Sequence, residues 1–224
     1  MSTLTTPAHA DRGAFVRARL GSILAVAPLG VWTFFHLWNN LAAFQGADKW
    51  QSAVIDYPHP VAQVITGLVV LLPLVIHSVW GIGRLFTARP NNVRYGFYAN
   101  FKYVLQRLSA IGVFFFLGAH LWLAMLHPRL TEGHGENFAD IAHEMRFHGP
   151  TLVVYILGTL GVAYHLANGL HSAAMGWGVV STRRALKRLE WGVIGIFLLL
   201  LAMSWGAIYA LYQAGAAAGV APTV

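Results

Sequence analysis

LGSILAVAPLGVWTFFHLWNNLAA, residues 20–43, carries no charged side chain and sets one histidine, His36, among apolar and aromatic neighbours. As a helix this stretch is long enough to cross a bilayer core of about 30 Å. Comparable apolar stretches recur at 61–88, 103–127, 150–178 and 189–213. Over the 224 residues, 57 % are apolar and 10 % charged, where a soluble domain carries about 25 % charge; mean hydropathy is +0.57. The pattern predicts an all-α polytopic membrane protein: a polar arm over 1–19, five transmembrane helices over 20–213 and a tail over 214–224. The arm lacks the short apolar run and small-residue site of a signal peptide, so the first apolar segment reads as a span. Pro58 and Pro60 precede the second helix and Pro150 opens the fourth, while Pro128 reads as a stop after the third. Pro28 and Pro73 fall inside helices and predict kinks.

Charge fixes an orientation. Of the 15 Lys and Arg, the arm, the 84–107 connection and the 183–188 run hold 3, 5 and 4. The opposite loops hold Lys49, Arg129 and Arg146, together with six of the eight carboxylates: Asp48, Asp56, Glu132, Glu136, Asp140 and Glu144. By the positive-inside rule the N-terminus is cytoplasmic and the C-terminus external. The net charge of +7 then reads as topology and contact with anionic lipid, with a dedicated partner surface as the alternative and no need of nucleic acid.

Four of the eleven histidines lie in the interior of spans, away from their ends, one in each of the first four: His36, His77, His120 and His165. His36 is seven residues before Ala43 and His120 seven before His127, which puts both roughly 10 Å below the outer surface. His77 is 17 residues beyond Pro60 and His165 15 beyond Pro150, roughly 22–26 Å from that surface. Two pairs at two depths exclude one four-histidine cluster. With no carboxylate at either level, each pair suits b-type haem, whose porphyrin supplies four equatorial nitrogens and whose iron needs two axial ligands; copper is the alternative. The absence of cysteine excludes disulfides, thiolate metal sites, covalent c-type haem attachment and a ligated iron–sulfur cluster.

Local repeats support the pairing. His36-Leu37-Trp38 recurs as His120-Leu121-Trp122, and His77-Ser78-Val79-Trp80-Gly81 parallels His165-Leu166-Ala167-Asn168-Gly169. This predicts a four-helix bundle with a pseudo-twofold axis along the membrane normal and a fifth helix outside it. Gly81 and Gly169 stand one turn beyond their histidines, where a missing side chain leaves room for a flat macrocycle.

Five spans with one histidine on each of the first four, taken with Arg19-Leu20-Gly21-Ser22, His36-Leu37, Gln106-Arg107-Leu108 and His165-x-x-Asn168-Gly169-Leu170, resemble the di-haem cytochrome b subunit of succinate dehydrogenases and fumarate reductases. The resemblance covers essentially the whole chain. It implies a subunit of the bacterial cytoplasmic membrane that anchors a flavoprotein and an iron–sulfur protein, binds two haems b and reacts with quinone, commonly menaquinone. His36 with His120 would ligate the outer haem iron, and His77 with His165 the inner. Electrons would enter from the iron–sulfur subunit on the basic face and meet quinone near the outer face. Such transfer across the membrane couples to the potential at about 2.3 kcal/mol per charge per 100 mV. One departure stands out: a related fumarate reductase branch has a proton-carrying glutamate within helix V, whereas here the fifth helix offers only Glu190, at its cytoplasmic end.

For the quinone, Asp56 and His59 could exchange protons, with Trp38, Asn39, Asn40 and Trp122 as walls. Arg19, Ser22, Gln106, Arg107 and Arg183 are candidates for the inner haem propionates on charge and depth. His127 and His171 read as interfacial. Two other functions stay open: a nitrate-reductase-type quinol-oxidising cytochrome b, which carries two histidines on each of two helices, and a transporter with a histidine proton relay, which would need a polar midplane path.

Overall fold

The computed structural model describes residues 12–56, 60–87 and 94–218. Among these there is no strand. The helices are α1 (Arg12–Leu24), α2 (Val31–Asn40), α3 (Ala47–Trp50), α4 (Pro60–Thr66), α5 (Leu72–Phe86), α6 (Tyr98–Leu121), α7 (His127–Thr131), α8 (Phe138–Phe147), α9 (Gly149–Gly176) and α10 (Arg183–Ala218). Five stretches are long and apolar enough to span a membrane: Arg19–Gln45 (span I), Val64–Phe86 (II), Tyr98–Thr131 (III), Gly149–Gly176 (IV) and Arg183–Ala217 (V). The protein is therefore an all-α, multi-pass membrane protein. Large apolar side chains point outward from the spans, as with Phe115 at 70 % exposure and Val79 at 66 %, which fits a lipid surround rather than water.

The prolines act through wider helical turns. A proline removes one backbone hydrogen bond and its ring crowds the preceding turn. Pro28 sits inside a π-helical turn, Ala25–Gly30, that links α1 to α2. Pro73 and Pro128 each occupy the first turn of a helix that follows another π turn, Gly67–Leu71 and Trp122–Leu126 respectively. The expectation that Pro128 stops the third helix is corrected: the chain stays helical to Thr131, because the π turn absorbs the ring clash and a first-turn residue needs no amide hydrogen. The fifth helix likewise starts at Arg183, before the expected 189. The amphipathic α8 in the loop between spans III and IV is also new. Asn137 caps it by accepting from the Asp140 amide at 2.9 Å.

Span I packs beside II and IV, and span III beside IV and II, so I and III face each other diagonally, as do II and IV. In an up-and-down four-helix bundle the diagonal partners run the same way, which is why the parallel sequence repeats fall on them. Span V lies against α9, α8 and the end of span I. The end carrying α3 and α8 is the acidic end, and the end where α9 turns into α10 through Gly178, φ +72°, is the basic end.

Candidate site: two histidine pairs on the bundle axis

Diagonal helices bring their histidines together across the axis. The ring centres of His36 and His120 are 5.9 Å apart, and those of His77 and His165 are 6.2 Å apart; in both pairs the ring planes cross at 69°. An imidazole nitrogen binds a metal at about 2.0–2.1 Å, so two imidazoles trans on one metal hold their ring centres about 6 Å apart. The pairs have that separation. Among the described residues no three His, Asp or Glu side chains converge on a point, so each level offers two protein ligands, the number an iron in a porphyrin needs.

The ring nitrogens facing away from the pairs have partners of their own. His77 Nδ1 is 3.2 Å from the Gly21 carbonyl oxygen, and His120 Nδ1 is 3.1 Å from the Tyr155 hydroxyl. His165 Nδ1 lies 3.4 Å from Ser109 Oγ and 3.2 Å from Gln106 Nε2. The Gly21 carbonyl can only accept, so its contact puts the proton on His77 Nδ1 and leaves Nε2 for a metal; the Tyr155 and Ser109 hydroxyls can accept from Nδ1 in the same way, whereas the Gln106 amide nitrogen can only donate. His36 differs: Trp32, one turn earlier, stacks on its ring at 4.5 Å, and Asn40 Nδ2 is 3.5 Å from its Nε2. Phe116 stacks on His120 in the same i, i+4 relation, extending the sequence repeat to a preceding aromatic. Tyr155, Ser109, the Gly21 carbonyl and Trp32 are the residues that sequence reasoning missed. For the two aromatics the signal was present, at four residues before a span histidine and at ten before His165.

At the basic end, Gln106 donates to the His165 carbonyl at 3.0 Å and accepts from Asn168 at 2.8 Å. Gln106 thus braces the histidine itself. Arg107 lies over the Tyr103 ring at 3.4 Å, and its buried Nε lacks a hydrogen-bond partner, a donor that an anionic group would satisfy. Arg19 Nε donates to the Gly176 carbonyl at 2.6 Å and Ser22 accepts from Trp177 Nε1 at 3.0 Å, so both tie span I to the end of span IV. Arg183 is exposed at the start of α10. Space beyond Gly81 is open, whereas a side chain at Gly169 would meet Gln106. His171, expected near the interface, is 7 % exposed, because α9 turns it toward the Lys102–Glu190 ion pair, closed at 2.9 Å between spans III and V.

At the acidic end, Asp56 is exposed; His59, like Pro58 and Arg89, lies outside the described residues. Trp38 and Trp122 point out of the bundle, at 62 % and 49 % exposure, and Trp122 approaches His127. Asn40 faces inward, accepting from Trp50 Nε1 at 3.2 Å. Among the described residues, Trp38 and Trp122 face outward while Asn40 faces inward, so they do not line one common surface. Glu136 is instead the buried carboxylate of this end. Burial and the neighbouring Asp140, Glu132 and Glu144 push its carboxyl up to about 7.

Fold and paired imidazoles together are those of a membrane-spanning cytochrome b. The chain is 33 % identical over 172 residues, 76 % of its length and 84 % of the relative's, to the succinate dehydrogenase cytochrome b558 subunit of Bacillus subtilis (strain 168). It belongs to the family of succinate dehydrogenase cytochrome b subunits. No family model matches it.

Proposed function

We propose that this chain is the membrane subunit of a bacterial succinate:quinone oxidoreductase. In this reading it holds two haems b, docks a flavoprotein–iron–sulfur pair on its basic, cytoplasmic face, and passes electrons to menaquinone or another quinone near its acidic, external face. The observation that carries it is the geometry of the histidines: two pairs, each about as far apart as trans ligands on one metal, stacked along the bundle axis with the same crossing angle. The family supplies the setting, since the relative is a subunit of succinate dehydrogenase.

When bound, haem supplies one-electron transfer, and its potential is set by axial ligands, hydrogen bonds and burial. His36 and His120 would hold one iron and His77 and His165 the other. Tyr155, the Gly21 carbonyl and Ser109 orient three of these rings. Arg107, with Arg84 in electrostatic reach, offers positive charge to haem carboxylates at the basic end. Asp56 and His59 remain the proposed proton-exchange pair for quinone, with Trp38 and Trp122 at the membrane edge.

Haem content tests this reading. A pyridine haemochrome assay on the purified chain should give two haems b per chain, all removable by acid acetone. One haem per chain, or haem left attached, would sink it.

A further inference from the structure

We propose that Glu136 is the proton-binding partner of the His36–His120 pair, taking up one proton from water on the acidic side when an iron held by that pair gains one electron, and releasing it when the electron leaves. The electron comes from the partner's iron–sulfur cluster or, in a test, from a redox mediator. The proposal rests on the haem reading above.

Glu136 lies in the connection between α7 and α8 and is 8 % exposed. Its carboxylate accepts from the Asn137 amide and faces the carboxylates of Glu132, Asp140 and Glu144. The cations nearby have other partners. Arg129, on α7 beside Gly135, donates to the Met125 carbonyl at 2.9 Å, and Arg146, on α8, lies over Tyr212 of α10. His134 pairs with Glu132 at 3.2 Å and His148 with Glu144 at 3.3 Å. The nearby α3 contributes the apolar Trp50 to this core.

From α9, the Tyr155 hydroxyl feels the charges of Glu136 and Glu144 and stands 3.1 Å from His120 Nδ1. Tyr155 is fixed in the core that also holds Phe116, Ile141 and Met145. A buried carboxyl ringed by three others, whose charge reaches the hydroxyl that touches a ligand, is favoured in its protonated form when negative charge is added at the ligand's metal. By reciprocity the proton favours the electron equally. Among the described residues the carboxylate at the other pair's end is Glu190, which is held by Lys102.

Spectroelectrochemical titration of the haem-loaded protein from about pH 5 to 9 provides the test. The component lost in His120→Ala should have a midpoint that is flat at low pH. Above neutrality the midpoint should fall by up to 59 mV per pH unit, a tenfold change for one electron. The other component should stay flat. Glu136→Gln should hold the first component near its low-pH value at every pH. Should that variant fail to load, redox-difference infrared spectra of the unaltered protein in H2O and D2O read the same event: a protonated-carboxyl C=O band gained on reduction. A slope that survives Glu136→Gln, a slope confined to the other component, or no carboxyl band overturns the proposal. Failure of the haem reading looks different, because then His120→Ala removes no component.

Discussion

Tyr155→Phe removes one oxygen atom from the acidic-end core and keeps the ring that packs edge-on against Phe116 at 5.5 Å and His120 at 5.6 Å. What is lost is the 3.1 Å contact to His120 Nδ1. Tyr155 is 8 % exposed, so water does not replace the hydroxyl, and a buried N–H left unsatisfied costs about 1–3 kcal/mol. Loss of a partner behind a metal ligand typically costs about 10–100-fold in affinity, which at about 1.4 kcal/mol per decade is the same range. Haem transfer to an excess of apomyoglobin, followed at the wavelengths of each component, measures the effect. The component that depends on His120 should leave about 10–100 times faster. The other should be unchanged, because its histidines lean on Gly21 and Ser109. Equal acceleration of both components, or none in either, would refute the reasoning.

Further perturbations separate the rest of the site. His36→Ala and His120→Ala should remove one and the same spectral component, and His77→Ala and His165→Ala the other; loss of one component by His36→Ala and His77→Ala alike would break the pairing. Gly158 is in close contact with Phe116 and has no room for a side chain, so Gly158→Val should lower the thermal midpoint of the His36–His120 component by overpacking, at about 1–3 kcal/mol. Glu136 has its carboxyl raised from 4.5 to about 7, so its contribution to stability is most favourable below pH 4.5 and is lost as pH rises through 7. Glu136→Gln should therefore gain up to about 3 kcal/mol over the unaltered protein at pH 8 and nothing at pH 4, read from melting curves. In vesicles holding the whole complex, an uncoupler should alter succinate–quinone activity but not succinate oxidation by a soluble dye, and equal sensitivity would move the quinone to the basic side.

Much of this was legible in the sequence, for reasons specific to membranes. A chain in lipid must satisfy its backbone internally, so uncharged runs become helices, and rise per residue turns position into depth. That simple geometry brought His36 to the level of His120 and His77 to that of His165. Boundaries were less legible. The extension of α10 back to Arg183 and of α6 back to Tyr98 runs through basic residues that hydropathy discounts, although such residues favour helix as readily as loop. The acidic loop hid α8, because its apolar face, Ile141, Ala142 and Met145, is meaningful only once span V is there to receive it. The burial of His171 and of Glu136 was not legible for a related reason: burial of a polar side chain depends on which neighbouring helix covers it, and no periodicity within one segment records that.

The distribution of buried side chains is lopsided along the bundle. Ala42, Ala43, Trp50, Phe116, Ile141, Met145, Tyr155, Ile208, Ala210 and Leu211 form one apolar core, all toward the acidic end. Span V closes that end, with Gly206 against Leu41 and Phe44, Gly215 against the backbone of α8, and Trp205 Nε1 donating to the Ile156 carbonyl at 3.2 Å. The basic end is held differently, by point contacts: Arg19 to Gly176, Trp177 to Ser22, Lys102 to Glu190. Polar contacts of this kind contribute modestly by themselves, about 0.5–1.5 kcal/mol each. Among the described residues the acidic end is enclosed and the basic end rests on such contacts, so a partner covering the basic face, where an iron–sulfur subunit is proposed to dock, adds most there.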